Sequence, residues 1–399
     1  MGAIKIAEDL FWVGVNDRTT DLFESFWPLP RGVSYNSYLV LDEKVALIDT
    51  VKRGFSNEFL ANLEEVVDPG KIDYIIANHV EPDHSGALPL VRRLAPGARV
   101  LGTAKALDLL KKLYHMEEGL EAVKDGQRLE LGKRALLFYE TPFVHWPETM
   151  MTYLPEEEVL FSGDAFGGFG ALDGGIFDDE VDLKYYESEI LRYFSNIIGM
   201  YTNPTQRALQ KLKELKIRTI APTHGPVWRR KPEEIVRLYD RWSRMEGEPG
   251  VVLIYGSMYG NTERLAERVA RGVIGGGAPL RVLDASRTHP SFLLAEAWRY
   301  KGLILGAPTY DGGIFLPVEG FLRLVQRKRL QNRIVGMFGS FGWSGGAVKG
   351  MRASIEELGW ELIEPVVEVN GFPDEGALER GEALGRAVAE RVMRHKSKI

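Results

Sequence analysis

The chain has no cysteine in 399 residues. That excludes disulfides, thiolate nucleophiles, zinc knuckles and any iron–sulfur centre ligated from within the chain. Any metal it holds sits on nitrogen and oxygen, and electrons, if its chemistry needs them, must come from a separate donor. A charge excess is lacking too: Lys+Arg 50 against Asp+Glu 56 leaves a net charge of -6, which offers no broad cationic surface to a nucleic-acid backbone. No apolar stretch approaches membrane-spanning length without charge, so no membrane segment is expected. The start, Met1-Gly2-Ala3-Ile4-Lys5-Ile6-Ala7-Glu8-Asp9, shows no basic region leading into an apolar core. A soluble, cytoplasmic protein is expected, and 399 residues with 45% hydrophobic content call for two domains.

Histidine is scarce as well, at 7, yet two of the seven stand in Asn78-His79-Val80-Glu81-Pro82-Asp83-His84-Ser85-Gly86. This stretch follows the apolar run Ile72-Asp73-Tyr74-Ile75-Ile76-Ala77 and reads as a strand-end loop. Two imidazoles and two carboxylates exceed the needs of one four-coordinate ion, particularly if distant ligands join them, and point to two neighbouring metals. Glu81 makes the shell oxygen-rich, which suits iron or manganese better than zinc. Without a cation, four ionisable groups on one short loop would repel one another or stay unpaired. His145 before Trp146-Pro147, Asp164 in Phe161-Ser162-Gly163-Asp164, and His224 in Pro222-Thr223-His224-Gly225 lie in similar contexts. Taken singly, each is better explained as a packed histidine or a turn former. His115 and His395 read as surface residues.

Along the chain, short alternating runs at 10–15, 34–41 and 45–50 predict antiparallel strands. Helices are expected near 57–66, 87–94 and 104–114, with strands at 72–77, 99–102, 135–140, 150–154 and 159–162. Strands in two sets with helices outside predict a four-layer sandwich. The spacing of Leu183, Tyr186, Ile190, Phe194 and Ile197 predicts one helix over 183–198. A helix near 206–215 and a strand at 217–221 follow, and a last helix covers 232–245. Glu246-Gly247-Glu248-Pro249-Gly250 breaks the pattern, placing domains at 1–247 and 250–399. Beyond it, apolar strands at 251–255, 280–283, 302–305, 334–338 and 362–369 alternate with helices, the pattern of a doubly wound parallel sheet.

In that second half, the first strand runs into Gly256-Ser257-Met258-Tyr259-Gly260-Asn261-Thr262 at the start of a helix. Backbone N–H groups and hydroxyls there suit a phosphate. The glycine spacing fits neither a dinucleotide fingerprint nor a Walker loop, so a single terminal phosphate, as in FMN, fits better. Two further strand-end loops, Ala307-Pro308-Thr309-Tyr310-Asp311-Gly312-Gly313 and Ser340-Phe341-Gly342-Trp343-Ser344-Gly345-Gly346, offer Tyr310 and Trp343 to flank a flavin ring.

Together the two halves resemble the flavodiiron protein family, over essentially the whole chain. The marks are His79-x-Glu81-x-Asp83-His84, His145-Trp146-Pro147-Glu148, Ser162-Gly163-Asp164, Thr223-His224-Gly225 and the loops around Ser257 and Trp343. The resemblance implies a metallo-β-lactamase-like αββα sandwich followed by a flavodoxin-like domain. It implies FMN and two non-haem irons, with His79, Glu81 and His145 on one iron and Asp83, His84 and His224 on the other. The resemblance also implies that Asp164 bridges the two irons, together with an oxo or hydroxo species. It implies Tyr193 near the diiron centre on the catalytic side, and reduction of dioxygen to water or of nitric oxide to nitrous oxide. Rubredoxin or a similar donor would supply electrons to a head-to-tail homodimer or a dimer of dimers. The chain departs from the family at Phe23-Glu24-Ser25, where some members carry a histidine near the site, and at Asp311, where asparagine is expected. Two rival readings are a zinc hydrolase using metal-bound hydroxide, and a non-catalytic flavin electron carrier or gas sensor. Glu81 speaks against the first and the full ligand set against the second.

Overall fold

The short apolar runs near the start pair antiparallel, Ile4–Ala7 with Leu10–Trp12, then Tyr38–Val40 and Val45–Ile48. The sheet then continues in parallel through Ile72–Ile76, Arg99–Gly102 and Leu120–Ala122, giving seven strands. A second sheet holds five: Arg128–Glu130, Ala135–Glu140, Met150–Leu154, Val159–Gly163 and Thr219–Pro222. Only its last pair is parallel. The central strands Tyr38–Val40, Met150–Leu154 and Val159–Gly163 are buried at every position. Burial on both faces requires cover on both. The Tyr38 ring meets Phe161 of the other sheet at 5.3 Å, and Thr152 Oγ1 donates to Asn78 Oδ1 at 2.6 Å. Sheet therefore packs on sheet, the expected sandwich.

This computed structural model describes residues 1–396, without the side chains of the last two. The chain forms two compact units, Met1–Asp240 and Arg241–Ile399. In the second, the parallel strands are ordered Leu280–Asp284, Glu248–Tyr255, Tyr300–Tyr310, Ile334–Phe341, Glu361–Leu362. Numbered along the chain this is 2-1-3-4-5, the order that opens a ligand crevice at the carboxyl ends of the first and third strands. Among the described residues no helix is long and apolar enough to cross a membrane.

Five local expectations change. The strand expected at 34–41 is two pieces, Val33–Tyr35 and Tyr38–Val40, in different sheets. The strand read at 10–15 ends at Trp12, and Val15–Asp17 pairs instead with Val33–Tyr35 in a separate ribbon. The helix read over 183–198 is α-helical over Leu183–Tyr193 and widens to a π-helix over Phe194–Ile198; such widenings frequently mark functional sites. The strand read at 362–369 is two pieces, Glu361–Leu362 and Val367–Asn370, with Pro365 between them, where no N–H is available for a ladder. Part of the loop read at 78–86 is a short helix, Pro82–Ser85. The division between units falls inside the helix Pro232–Ser243 rather than in the Gly/Pro stretch. The end of that helix is tied to the second unit, where Trp298 Nε1 donates to the Trp242 carbonyl at 3.0 Å and Arg333 donates to Met245 at 2.9 Å.

Candidate metal centre and flavin cradle

The strand Ile72–Ile76 is held by parallel neighbours on both sides, so its carboxyl end is fixed. Asn78, just past it, donates its N–H to Asp49 Oδ1 at 2.8 Å and accepts from Met150 N–H at 3.0 Å, joining the two sheets. Pro82 then starts the short helix Pro82–Ser85 directly after Glu81, a position proline favours. This turn delivers His79, Glu81, Asp83 and His84 to one place. Asp164 follows the strand Val159–Gly163 after Gly163, whose φ of 58° is a glycine conformation. His224 follows the strand Thr219–Pro222, and His145 lies between Ala135–Glu140 and Met150–Leu154.

Two groups of ligand-type atoms result: His79, Glu81, His145 and Asp164; and Asp83, His84 and His224. In the first, Glu81 Oε2 is 3.2 Å from both His79 Nε2 and His145 Nε2. In the second, Asp83 Oδ1 is 3.4 Å from His84 Nε2 and Oδ2 is 3.3 Å from His224 Nε2. Asp164 stands between them. Its Oδ2 lies 2.9 Å from His145 Nε2 and 3.6 Å from His79 Nε2, and its Oδ1 lies 2.9 Å from His84 Nε2 and 3.6 Å from His224 Nε2. Ligands about 2.1 Å from one ion, at right angles or tetrahedrally disposed, are about 3.0 to 3.4 Å from each other. The spacings are those of two ion shells sharing one carboxylate.

The tautomers agree. His224 Nδ1 lies 2.7 Å from the Ser34 carbonyl, which can only accept, so Nδ1 carries the proton and Nε2 faces inward with its lone pair. His79 Nδ1 is 2.7 Å from Glu148 Oε1, with the same consequence. Thr223 Oγ1 donates to Asp164 Oδ1 at 2.6 Å. Both oxygens of Asp83, Oδ2 of Asp164 and Nε2 of His84, His145 and His224 are buried without a hydrogen-bond partner, a state that is costly unless a cation satisfies them. The cluster's own electrostatics ask for positive charge. Burial alone would lower the imidazoles, yet Asp83 and Asp164 raise His84 to about 9, and Asp164 and Glu81 raise His145 to about 9. Asp164 and Glu81 are held below the usual carboxylate range by these histidines, against the upward pull of burial. The donor set fits a pair of metal ions.

Tyr193 is wholly buried, its ring 5.5 Å from that of His224 and 5.0 Å from that of Phe169, and its hydroxyl has no partner. Burial, reinforced by Asp164, keeps the phenol protonated. Phe23 meets His224 edge-on at 5.4 Å. Glu24, beside it, accepts from Trp27 Nε1 at 2.9 Å, and burial together with the charge of Glu81 raises its carboxyl. A cavity of about 650 Å³, lined by Glu24, Tyr35, Lys52, Arg53, Glu81 and Asp83 among others, leads to the cluster. Glu148 and Asp49 had no role in the sequence reading. Glu148 was visible in His145-Trp146-Pro147-Glu148, whereas nothing local to Asp49 signals a partner 29 residues away.

In the second unit, a cavity of about 560 Å³ opens at the carboxyl ends of the parallel strands. All three expected loops line it: Ser257, Met258, Tyr259, Asn261 and Thr262; Pro308, Thr309, Tyr310, Asp311 and Gly312; Ser340, Phe341, Gly342, Trp343 and Ser344. Gly260 and Gly345 do not line it, and Gly371, which the sequence reading passed over, does. Gly260 caps the helix Asn261–Gly275 with φ 92°, and a side chain at Gly345 would press on Glu368. Ser257 Oγ accepts from the N–H groups of Gly260 and Glu263, which leaves its own proton free for a ligand. Tyr259 and Trp343, 93% and 94% exposed, present a large apolar surface at this cavity. A helix start, hydroxyls and aromatics around one crevice fit FMN.

The architecture and the two sites define a β-lactamase-like metal domain joined to a flavodoxin-like domain. Comparison with known proteins agrees. The ODP family beta lactamase model matches residues 33–225 and the Flavodoxin model residues 253–383. A nitric oxide reductase of Moorella thermoacetica is 36% identical over 98% of this chain and 98% of its own length. An anaerobic nitric oxide reductase flavorubredoxin of Pectobacterium atrosepticum is 34% identical over 98% of this chain and 78% of its own. Among solved structures, rubredoxin oxygen:oxidoreductase of Desulfovibrio gigas superposes with a TM-score of 0.94 at 31% identity, covering 98% of this chain and 99% of that one. The flavodiiron protein of Giardia intestinalis gives 0.95 at 28%, covering 100% and 98%. The chain belongs to the flavodiiron protein family, and its cofactors are FMN and a non-haem diiron pair.

Proposed function

We propose that the protein is a soluble, cytoplasmic flavodiiron reductase that takes dioxygen to water, nitric oxide to nitrous oxide, or both. The observation that carries this reading is Asp164, which turns one oxygen to each of two histidine–carboxylate groups. Two ferrous ions held there, with reduced FMN, would supply the four electrons that dioxygen needs and more than nitric oxide coupling requires.

The residues divide the work. His79, Glu81 and His145 hold one ion; Asp83, His84 and His224 hold the other; Asp164 is shared. The Nδ1 hydrogen bonds of His79 and His224 fix those rings with Nε2 inward. Tyr193 offers its unpartnered O–H to a molecule bound on the pair, and Phe23 and Phe169 close the site beside it against water. Serine, threonine and backbone N–H groups from Ser257 to Thr262 take the FMN phosphate, while Tyr310 and Trp343 flank its ring.

Electrons come from rubredoxin or a similar small donor, as the names of the Desulfovibrio and Pectobacterium proteins suggest for those proteins. The working unit is a head-to-tail homodimer, alone or paired into a tetramer, in which the flavin of one subunit serves the metal pair of the other. Sedimentation of the active protein tests this; a fully active monomer contradicts it. A zinc hydrolase and a non-catalytic carrier are not favoured, since the relatives are named as oxidoreductases. The test is metal and flavin content after purification without oxygen. About two irons and one FMN per chain are expected from the two ligand groups and the single crevice. Zinc at both positions in protein from the native source would overturn the reading.

A further inference from the structure

The two ligand groups differ in what stands behind their histidines. On one side, His224 donates Nδ1–H to a neutral backbone carbonyl, that of Ser34, at 2.7 Å, and His84 Nδ1 is buried with no partner. On the other, His79 donates to a carboxylate, Glu148 Oε1, at 2.7 Å. The Glu148 side chain is 0% exposed. Its Oε1 also accepts from Val80 N–H at 3.3 Å, while Oε2 has no hydrogen-bond partner. Among the described residues its one ion-pairing neighbour is His79. Thr103 Oγ1 donates to the Glu148 backbone carbonyl at 2.8 Å, fixing the main chain from which the carboxylate projects. A buried carboxylate with half its acceptor capacity empty is expensive in isolation. It is compensated when a cation sits at the far nitrogen of the imidazole it holds, because hydrogen bonding to a carboxylate makes that imidazole a stronger donor to metal.

Resting on the diiron reading above, we propose that Glu148 is a positioning residue that makes the two irons inequivalent. It locks His79 with Nε2 toward the metal and increases the electron density that ring donates. The iron on His79, Glu81 and His145 is therefore the more easily oxidised of the two and is the ferric ion when the pair has lost one electron. The partner iron, whose histidines donate Nδ1–H to no carboxylate, Asp49 acting on His84 through its charge without a hydrogen bond, stays ferrous.

The test is Glu148→Gln, which keeps shape and an acceptor for Nδ1–H but removes the charge. A redox titration of the holoprotein followed by the electron paramagnetic resonance of the one-electron-oxidised pair is the readout, alongside ferrous affinity of the metal-free protein. The proposal expects a higher potential for the first oxidation, an altered mixed-valent signal, and ferrous affinity lower by roughly 10- to 100-fold at one of the two positions. Glu148→Asp, which keeps the charge but withdraws it by one methylene, should lie between. A merely structural role would change the melting temperature and leave potential and signal alone, and that result overturns the proposal. If the Gln variant does not fold, an Asp variant with wild-type potential and signal overturns it equally. Wild-type protein lacking an iron pair would instead bring down the diiron reading, and this assignment with it.

Discussion

At the scale of single residues, the site is a set of carboxylates whose charge is balanced either by bound metal or by protons on the histidines. In metal-free protein His84 and His145 are raised to about 9, so both are protonated at neutral pH. Metal must displace those protons, and ferrous or manganous affinity should rise with pH and level off near 9. Isothermal titration across pH tests this, and a flat profile contradicts it. Linkage sets a second sign. The folded state binds these protons more tightly than the unfolded chain, whose histidines titrate near the ordinary value of 6.5. That stabilisation is full below about 6.5 and is lost as pH rises through about 9. Denaturant titrations of metal-free protein should show the fall, and metal-loaded protein should lack it. Tyr193→Phe separates stability from turnover: removing a buried hydroxyl without a partner should leave stability unchanged or raise it by about 1 kcal/mol. Turnover should drop about tenfold for one lost hydrogen bond to bound substrate; unchanged turnover would make Tyr193 a packing residue. The ligand-type residues were legible in the sequence because they crowd into His79-x-Glu81-x-Asp83-His84 and short Pro/Gly turns. Asp49 was not, because its partner Asn78 is reached only through the pairing of Val45–Ile48 with Ile72–Ile76.

At the scale of elements, strands present the chemistry and one helix pair supports the flavin unit. The helices Asn261–Gly275 and Glu375–Lys396 approach closely through Gly272 and Gly385. A methyl on Gly272 would meet the Glu382 carbonyl, and one on Gly385 the Val269 carbonyl, well inside contact distance. Gly272→Ala should therefore cost about 1–3 kcal/mol by forcing the helices apart. Melting followed by flavin release should fall in temperature while iron content stays unchanged; an unshifted melt contradicts the close-approach argument. Alternation and periodicity located most strands and helices, since burial on one face leaves a period in the sequence. They failed where the backbone departs from regular geometry. The widening after Tyr193 preserves three- and four-residue apolar spacing, so Phe194 and Ile197 still read as one helix. The hairpin of Leu22–Phe23 with Trp27–Pro28 is too short to show a period, although it carries Phe23 and Glu24 to the metal cluster.

At the scale of the whole molecule, one chain carries a two-metal centre and a flavin crevice, each in its own compact unit. Absence of cysteine was informative here, because it confined the metal ligands among these residues to nitrogen and oxygen. Two domains were legible from the Gly/Pro break after Met245. The place of the division was not, because Trp242 and Met245 make their tertiary hydrogen bonds with Trp298 and Arg333, far along the chain. Metal pair and flavin act together as one electron reservoir, which a single dioxygen molecule empties. The direct measurement is rapid mixing of the fully reduced protein with a limiting amount of dioxygen, following flavin absorbance and hydrogen peroxide in the same reaction. Fast reoxidation of flavin and iron with no peroxide formed is expected, with loss of that behaviour when the metal is removed. Slow reoxidation of the flavin alone, with one peroxide released per dioxygen consumed whether or not iron is present, would contradict it.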